Sequence, residues 1–312
     1  LLAGSAQAAT IAVIDSGTDL SHNDLKNKKW FNAKDVDDAV DNDDNGLIDD
    51  VNGWNFADNN NKLYDKSFLG TFSPDVYKFF EVQTRLLKGT GTQADKDWMT
   101  AARSNQDLIA ELGTFGNFVH GSHVAGITAK NAEKAQLMIL KIIPTKSPLP
   151  GRKKEFAGFV SKFSKSTADN EQLIKLALKA LAMQQAKTMT TWGNYVAKGK
   201  ARIANCSFGT STHAVKTMIM PALLKLVLRR EPTEDELNTY SVFFVSEVLE
   251  ASKGLVTPAP NTLFVIAAGN DGTSNDELPT SPANLKLQNT ITVAATLDYA
   301  KLASFSNYGK KE

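Results

Sequence analysis

Short apolar runs that end in polar residues recur along the chain, and they predict buried strands. The first is Thr10 to Asp15, rich in β-branched residues and stopped by Ser16 and Gly17. Similar runs lie at 136–143, 202–208, 262–268 and 290–295. Apolar runs of this length are typical of parallel strands that are buried on both faces.

Segments with helical periodicity separate these runs. They lie at 75–87, 97–112, 120–130 and 171–189. In the last of them we expect one buried face, formed by Leu173, Leu176, Ala177, Ala180 and Leu181. Strands that alternate with helices predict an α/β fold with a mainly parallel β-sheet flanked by helices. Residues 9–312 are expected to form this domain, with insertions at about 58–118 and 213–258.

Composition narrows the class of protein. Of 312 residues 42% are hydrophobic, which is enough for a sizeable core, and the net charge of +1 argues against a dedicated nucleic-acid binder. The single cysteine, Cys206, allows no intrachain disulfide. No run of 18 apolar residues is present, so we expect no transmembrane segment.

The first eight residues resemble the tail of a secretory signal peptide. Ala6-Gln7-Ala8 would be the small-x-small cleavage site, with the mature chain beginning near Ala9. The alternative is an irregular lead-in to the first strand. The signal-peptide interpretation predicts a secreted or periplasmic protein.

An acidic segment predicts a calcium site. Residues 35–50 hold eight Asp and no Lys or Arg, and Asp41, Asp43, Asn45 and Gly46 match the front half of an EF-hand-type loop. Asn52 stands where that loop has its bidentate Glu. The candidate Ca²⁺ ligands are Asp41, Asp43, Asn45, Leu47 through its carbonyl, Asp49 and Asp50. The alternative, a solvated acidic loop, suffers from repulsion between its carboxylates.

Three polar side chains follow core elements in an order that suggests acyl-transfer chemistry. Asp15 ends the first strand, His120 begins the 120–130 helical segment, and Asn270 follows the 262–268 strand. A buried carboxylate fixes the tautomer of a histidine general base and stabilises its imidazolium. A side-chain amide at a strand end can donate to a developing oxyanion. We therefore predict Asp15, His120 and Asn270 as the catalytic group.

These segments resemble those of the subtilisin-like serine proteases. Residues 11–17, 120–126 and 267–270 are similar to the family's aspartate, histidine and oxyanion motifs, and 205–209, 282–284, 291–295 and 304–309 are similar to further family segments. The resemblance implies a secreted serine endopeptidase acting on proteins or peptides. It also implies a substrate-binding groove lined by Ser207, Phe208, Gly209, Ala267, Ala268 and Gly269.

One family motif is not found. The nucleophile of the family lies in a Gly-Thr-Ser-x-Ala-x-Pro motif after the 304–309 segment, whereas 209–211 has only its first half, upstream of Asn270. We expect Ser211 not to be the nucleophile. We expect the fold to lack a C-terminal part, and that missing segment is a candidate partner. Two alternatives stay open: an inactive, calcium-stabilised peptide-binding module, and a metal hydrolase using Asp15, His120 and His123.

Overall fold

The computed structural model describes residues 9–146, 170–297 and 300–310. They form two compact units. Val13–Gly151 is here called the histidine unit, and Leu1–Ala12 with Arg152–Glu312 is called the asparagine unit. The predicted signal-peptide remnant, residues 1–8, lies outside the described residues.

Strands β1 (Thr10–Asp15), β2 (Gly53–Asn55) and β3 (Gln136–Lys141) follow one another in the order β2-β3-β1, and the second half of β1, from Val13 on, lies in the histidine unit. β2 and β3 pair in parallel, with Trp54 opposite Leu140. The interior of β1 and all of β3 after its first residue are buried, as the apolar runs predict. Asp15 therefore ends a core strand.

The described part of this unit has three α-helices, α1 (Pro74–Leu87), α2 (Gln93–Ser104) and α3 (Gln106–Ala129), and a short 3-10 helix at Lys66–Phe68. The predicted helix 97–112 is wrong, because Asn105 ends α2 and caps α3 through bonds to the N–H groups of Asp107 and Leu108. The predicted helix start at His120 is also wrong. His120 lies inside α3, which continues through Gly113 and Gly116 from the insertion into the histidine motif.

The asparagine unit has a parallel sheet in the order β1-β4-β6-β8. Only Thr10–Ala12 of β1 belongs to this unit. Its strands are β4 (Ile203–Cys206), β6 (Leu263–Ala267) and β8 (Thr290–Val293). Two short antiparallel pairs accompany them, β5 (Thr210–Ser211) with β7 (Thr280–Ser281), and β9 (Thr296–Leu297) with β10 (Lys301–Leu302).

The long helices in the described part of this unit are α4 (Asn170–Lys198), α5 (Met220–Leu228) and α6 (Glu234–Val256). A helical turn (Thr212–Ala214) and a π-helical segment (Val215–Ile219) lead into α5. α5 buries Met220, Leu223 and Leu224 in a core shared with α4 and α6. The second insertion thus packs onto its own unit through its apolar faces.

The face predicted for α4 is wrong. Ile174, Leu178 and Ala182 are its buried positions, whereas Leu176 is 62% exposed. The apolar residues of this helix extend over more than one face, so periodicity alone left the choice of face open. The α/β class itself, with a mainly parallel sheet and flanking helices, is confirmed. Among the described helices, none is both long and apolar enough to cross a bilayer.

Candidate functional site: a buried aspartate paired with histidine

Asp15 and His120 form a hydrogen-bonded pair, which is the candidate site of the histidine unit. The Asp15 side chain is 1% exposed, and its Oδ1 lies 2.7 Å from Nδ1 of His120. The same oxygen accepts the backbone N–H of Ser16 at 2.7 Å. Oδ2 of Asp15 is buried and accepts no hydrogen bond from the described residues. Two motifs that are 105 residues apart in sequence thus meet at one carboxylate.

The imidazole of His120 is open to solvent on its other side. Its side chain is 48% exposed, in contrast to the carboxylate behind it. The hydrogen bond that Nδ1 of His120 donates to Asp15 raises the pKa of His120, partial burial lowers it, and the nearby negative charge raises it further. The net result is a pKa above the ordinary 6.5. A histidine bonded through Nδ1 to a carboxylate presents Nε2 as a proton acceptor.

The backbone around this pair is held by direct contacts between the end of β1 and helix α3. The N–H of Gly121 donates to Oγ of Ser16 at 3.1 Å, and Oγ1 of Thr18 donates to the carbonyl of Gly121 at 3.2 Å. At the next residue of each segment, the N–H of Asp19 donates to Oγ of Ser122 at 2.9 Å. The sequence did not predict these contacts. They fix the position of α3, and with it the position of His120, relative to the end of β1.

Asn270 belongs to the asparagine unit and is exposed, just after β6. Its loop is braced by Asn307, which is fully buried: Asn307 accepts the N–H of Asp271 at 2.8 Å and donates Nδ2 to Oδ1 of Asn275 at 3.0 Å. Asn275 in turn donates to the carbonyl of Ala268 at 2.9 Å. Buried amides that are fully bonded in this way make a loop rigid. The sequence analysis placed Asn307 in a family segment but did not give it this role.

The predicted substrate-binding residues occupy two strand ends of the same unit. Ser207, Phe208 and Gly209 follow β4 directly, and Ala267 ends β6. β4 and β6 are parallel neighbours, so these ends lie at the same edge of the sheet. The ring of Phe208 stands edge-on to Trp192 of α4, with 6.3 Å between centroids. Trp192 was not predicted, because it comes from a helix and not from a motif.

Ser211 is engaged in local structure. Its Oγ accepts the N–H of Ala214 at 3.0 Å and caps the turn Thr212–Ala214. Its backbone pairs with Thr280 in the β5–β7 ladder, and the residue is only 8% exposed. Ser211 thus has a structural role in the β5–β7 ladder and in the turn that follows it.

The acidic loop folds around its own carboxylates. Asp41 accepts the N–H groups of Asn45 and Gly46, and Gly46 has φ +86°. The bond from Gly46 is the largest cause of a lowered pKa for Asp41, which keeps this carboxylate charged. Of the other predicted ligands, Asp49 accepts the backbone N–H groups of two different residues that precede it in the loop. Asp50 is buried and accepts hydrogen bonds from the side-chain amide groups of Asn32 and Asn45. The N–H of Leu47 donates to Oδ1 of Asn45 at 2.8 Å.

Among the described residues, acidic, histidine and cysteine side chains alone do not form a metal site. In the described ranges, no three Asp, Glu, His or Cys side chains converge closely enough to hold an ion. Calcium at Asp41 and Asp43 would therefore need the loop to draw in further oxygen ligands, such as amide and carbonyl groups. His123 is exposed on α3, so the metal hydrolase with Asp15, His120 and His123 has no support.

The arrangement at Asp15 and His120 is that of a general base oriented by a buried carboxylate, the device of serine hydrolases. The model of the Subtilase family matches residues 83–312, about three quarters of the chain, and the chain belongs to this family of serine proteases. That match contains His120 and Asn270 but not Asp15. The contact between Asp15 and His120 therefore adds structural evidence that the family match does not include.

The chain is similar to short segments of curated subtilisin-like proteases. It is 44% identical over 63 residues to Subtilisin-like protease 1 of Plasmodium vivax, and 41% identical over 63 residues to that of Plasmodium falciparum (isolate 3D7). Each match covers 20% of this chain, and 10% and 9% of the respective relatives. The matched segments thus span about a tenth of those proteins.

Two solved structures resemble the chain weakly. The crystal structure of a lanthipeptide protease aligns with a TM-score of 0.38 and 16% identity, over 96% of this chain and 52% of that one. A cold adapted subtilisin-like serine proteinase aligns with a TM-score of 0.42 and 15% identity, over 97% and 60% of the two chains.

Proposed function

We propose that this chain supplies the Asp–His part and the oxyanion donor of a secreted serine endopeptidase. Asp15 holds the imidazole, His120 acts as general base and then as general acid, and Asn270 donates its amide to the oxyanion. One observation carries the proposal: the 2.7 Å contact between the buried Asp15 carboxylate and Nδ1 of the half-exposed His120. An orienting carboxylate behind an accessible base is what acyl transfer requires.

The nucleophile in this proposal is a serine outside residues 1–312. Ser211 is a poor candidate because its hydroxyl accepts a helix-capping bond and its side chain is buried. The segment with the nucleophile would dock against the asparagine unit, where the edge strand β8 leaves Ile291 and Val293 each 49% exposed. Apolar side chains alternating along a strand face are typical of a surface that another element covers.

Peptide substrates are proposed to bind along the strand ends of the asparagine unit. Ser207–Gly209 follow β4 without belonging to a ladder, and this supports the proposal that their backbone groups pair with an extended peptide. Phe208 and the 267–269 segment would contact the side chain before the scissile bond. The edge-on packing of Phe208 against Trp192 supports an apolar contact there.

The test compares residues 1–312 with a version extended through a downstream Gly-Thr-Ser motif. Each is incubated with casein and with a fluorophosphonate that labels activated serines. We expect cleavage and labelling by the extended protein only, and loss of both in its His120→Ala variant. A nucleophile is indispensable because, in subtilisin, loss of the serine costs about as much as loss of the whole triad.

Two results would contradict the proposal. Stoichiometric labelling of residues 1–312, abolished by Ser211→Ala, would make Ser211 the nucleophile. If the extended protein neither cleaves casein nor is labelled, but binds a peptide tightly, an inactive peptide-binding module would be favoured. A folded but inactive extended protein is recognised by an unchanged melting temperature relative to its His120→Ala variant.

We propose two further properties that rest on sequence patterns. The loop with Asp41 and Asp43 is proposed to bind structural Ca²⁺, supported by the alternating oxygen ligands and by the charged state of Asp41. Secretion or a periplasmic location is proposed from Ala6-Gln7-Ala8. N-terminal sequencing of the mature protein tests the second; a start near Ala9 is expected, and a retained Leu1 would contradict it.

A further inference from the structure

Lys141 ends β3 and is buried beneath the catalytic turn of the histidine unit. The residue is 3% exposed. Its Nζ donates to the carbonyl of Ser16 at 2.7 Å, to the carbonyl of Ile143 at 2.9 Å and to Oγ1 of Thr145 at 3.2 Å. All three donor positions of the ammonium are thus filled by oxygen acceptors. The first of these acceptors belongs to the residue directly after Asp15.

The stem of Lys141 also packs on the same turn. Gly17 has φ +102°, and a Cβ built there would lie 3.0 Å from Cδ of Lys141. The backbone of Ile142 donates to the carbonyl of Asp15 at 2.8 Å, next to the lysine. Lys141 and its neighbour therefore contact Asp15, Ser16 and Gly17 in succession.

The ammonium of Lys141 lies near three carboxylates, but among the described residues it forms no direct ion pair. Asp15, Asp58 and Asp65 attract the ammonium, and these attractions oppose the burial that lowers the pKa of Lys141. Asp65 is itself paired with Lys62 at 3.1 Å. A buried ammonium costs free energy that an apolar side chain of similar size avoids. Its three bonds are the compensation, and one of them acts on the catalytic turn.

We propose that Lys141 is a positioning residue for the Asp15–His120 pair. By binding the carbonyl of Ser16, it fixes the turn that aims Oδ1 of Asp15 at His120. This inference rests on the proposed function of that pair. The carboxylate needs such support because its Oδ2 accepts no hydrogen bond from the described residues, so Oδ1 alone fixes its rotation.

The test is the pKa of His120, measured by NMR of the imidazole Cε1–H in the whole chain. The signal of His120 among the four histidines is assigned with His120→Gln. Lys141→Met should lower the pKa of His120 toward its value in Asp15→Asn, because a loosened turn weakens the bond that raises it. Loss of the lysine's positive charge alone would raise the pKa of His120. The direction therefore separates positioning from a charge effect.

Matched variants separate positioning from general destabilisation. Met138→Ala removes a buried side chain of the same strand, so it should lower the melting temperature and leave the pKa of His120 unchanged. Lys141→Arg keeps the charge and the donors, and should keep the pKa of His120 close to that of the original chain. If Lys141→Met does not fold, Lys141→Gln takes its place with the same expected direction.

The outcomes are distinct. A pKa of His120 that stays constant or rises in Lys141→Met, or in Lys141→Gln where that variant replaces it, while Asp15→Asn lowers it, would overturn the role of Lys141 and leave the catalytic pair intact. No change even in Asp15→Asn would mean that the pair itself is not formed, and the proposed function would fail first.

Discussion

Gly121 lies so close to Gly17 that a Cβ on residue 121 would overlap the carbonyl oxygen of residue 17. This contact brings the backbone of α3 directly against the turn that follows Asp15. The distance between Asp15 and His120 depends on it, because His120 is the residue before Gly121. The geometry of the Asp15–His120 pair is thus set by backbone-to-backbone packing as well as by its own hydrogen bond.

Gly121→Ala should therefore destabilise the protein and abolish peptidase activity in the extended version. Backbone atoms cannot move aside as a flexible side chain can, so the helix must shift. Overpacking of this kind costs about 1–3 kcal/mol. Gly126→Ala is the control on the same helix, since nothing lies within 4 Å of its added Cβ. It should be stabilising by about 0.5–1 kcal/mol, as expected for glycine replaced within a helix. Equal unfolding free energies in urea for both variants would contradict this account.

The bond between Asp15 and His120 should make stability depend on pH. The folded-state pKa of His120 is raised above 6.5, so protonated His120 favours the native state. This contribution is fully present below pH 6.5 and is lost as the pH rises through the raised value. The free energy of unfolding of the original chain minus that of Asp15→Asn should fall across this window. Chemical denaturation at several pH values measures it.

His120→Gln supplies the control for that titration. With no imidazole present, Asp15→Asn should change stability by an amount that does not vary with pH across the same window. A pH-dependent difference that persists in the His120→Gln background would assign the effect to another group.

The parts of this fold that follow from sequence are those with a strong local signal. β1 is a buried run that ends on Asp15, and Asp15 meets His120 as the chemistry of a general base requires. The start of α3 was missed because Gly113 and Gly116, which are usual stop signals, lie inside the helix between Leu108 and His120. The buried face of α4 was missed because apolar residues lie on more than one of its sides.

The supporting contacts of the site have no signature in the sequence. Lys141 looks like a polar residue ending a strand, yet it is buried because three oxygen acceptors happen to converge on it. Asn307 looks like a loop residue, and its role depends on Asn275 and Asp271, which reach it only in the folded chain. Such roles arise from tertiary contacts between distant segments.

Calcium should stabilise the protein through the acidic loop. A ligand that binds only the native state adds about 2.7 kcal/mol when its free concentration is about a hundred times its dissociation constant. Melts with calcium should lie above melts with chelator, and Asp43→Ala should remove the difference. Asp37→Ala is the control, because it deletes an exposed carboxylate of the same segment outside the predicted ligands. Coincident melts with calcium and chelator in the original chain would rule out the site.

Asn270→Ala, made in the extended protein, should lower kcat with little change in KM. Its amide is proposed to bind the oxyanion, which exists only near the transition state, so substrate affinity does not depend on it. In subtilisin, removal of this kind of donor costs about a hundred- to a thousand-fold in kcat, and that known value sets the scale here. Asn261→Ala, an exposed asparagine before the opposite end of β6, should leave both parameters unchanged. Steady-state kinetics on a fluorogenic peptide decide between the roles: a raised KM with kcat intact would make Asn270 a substrate-binding residue.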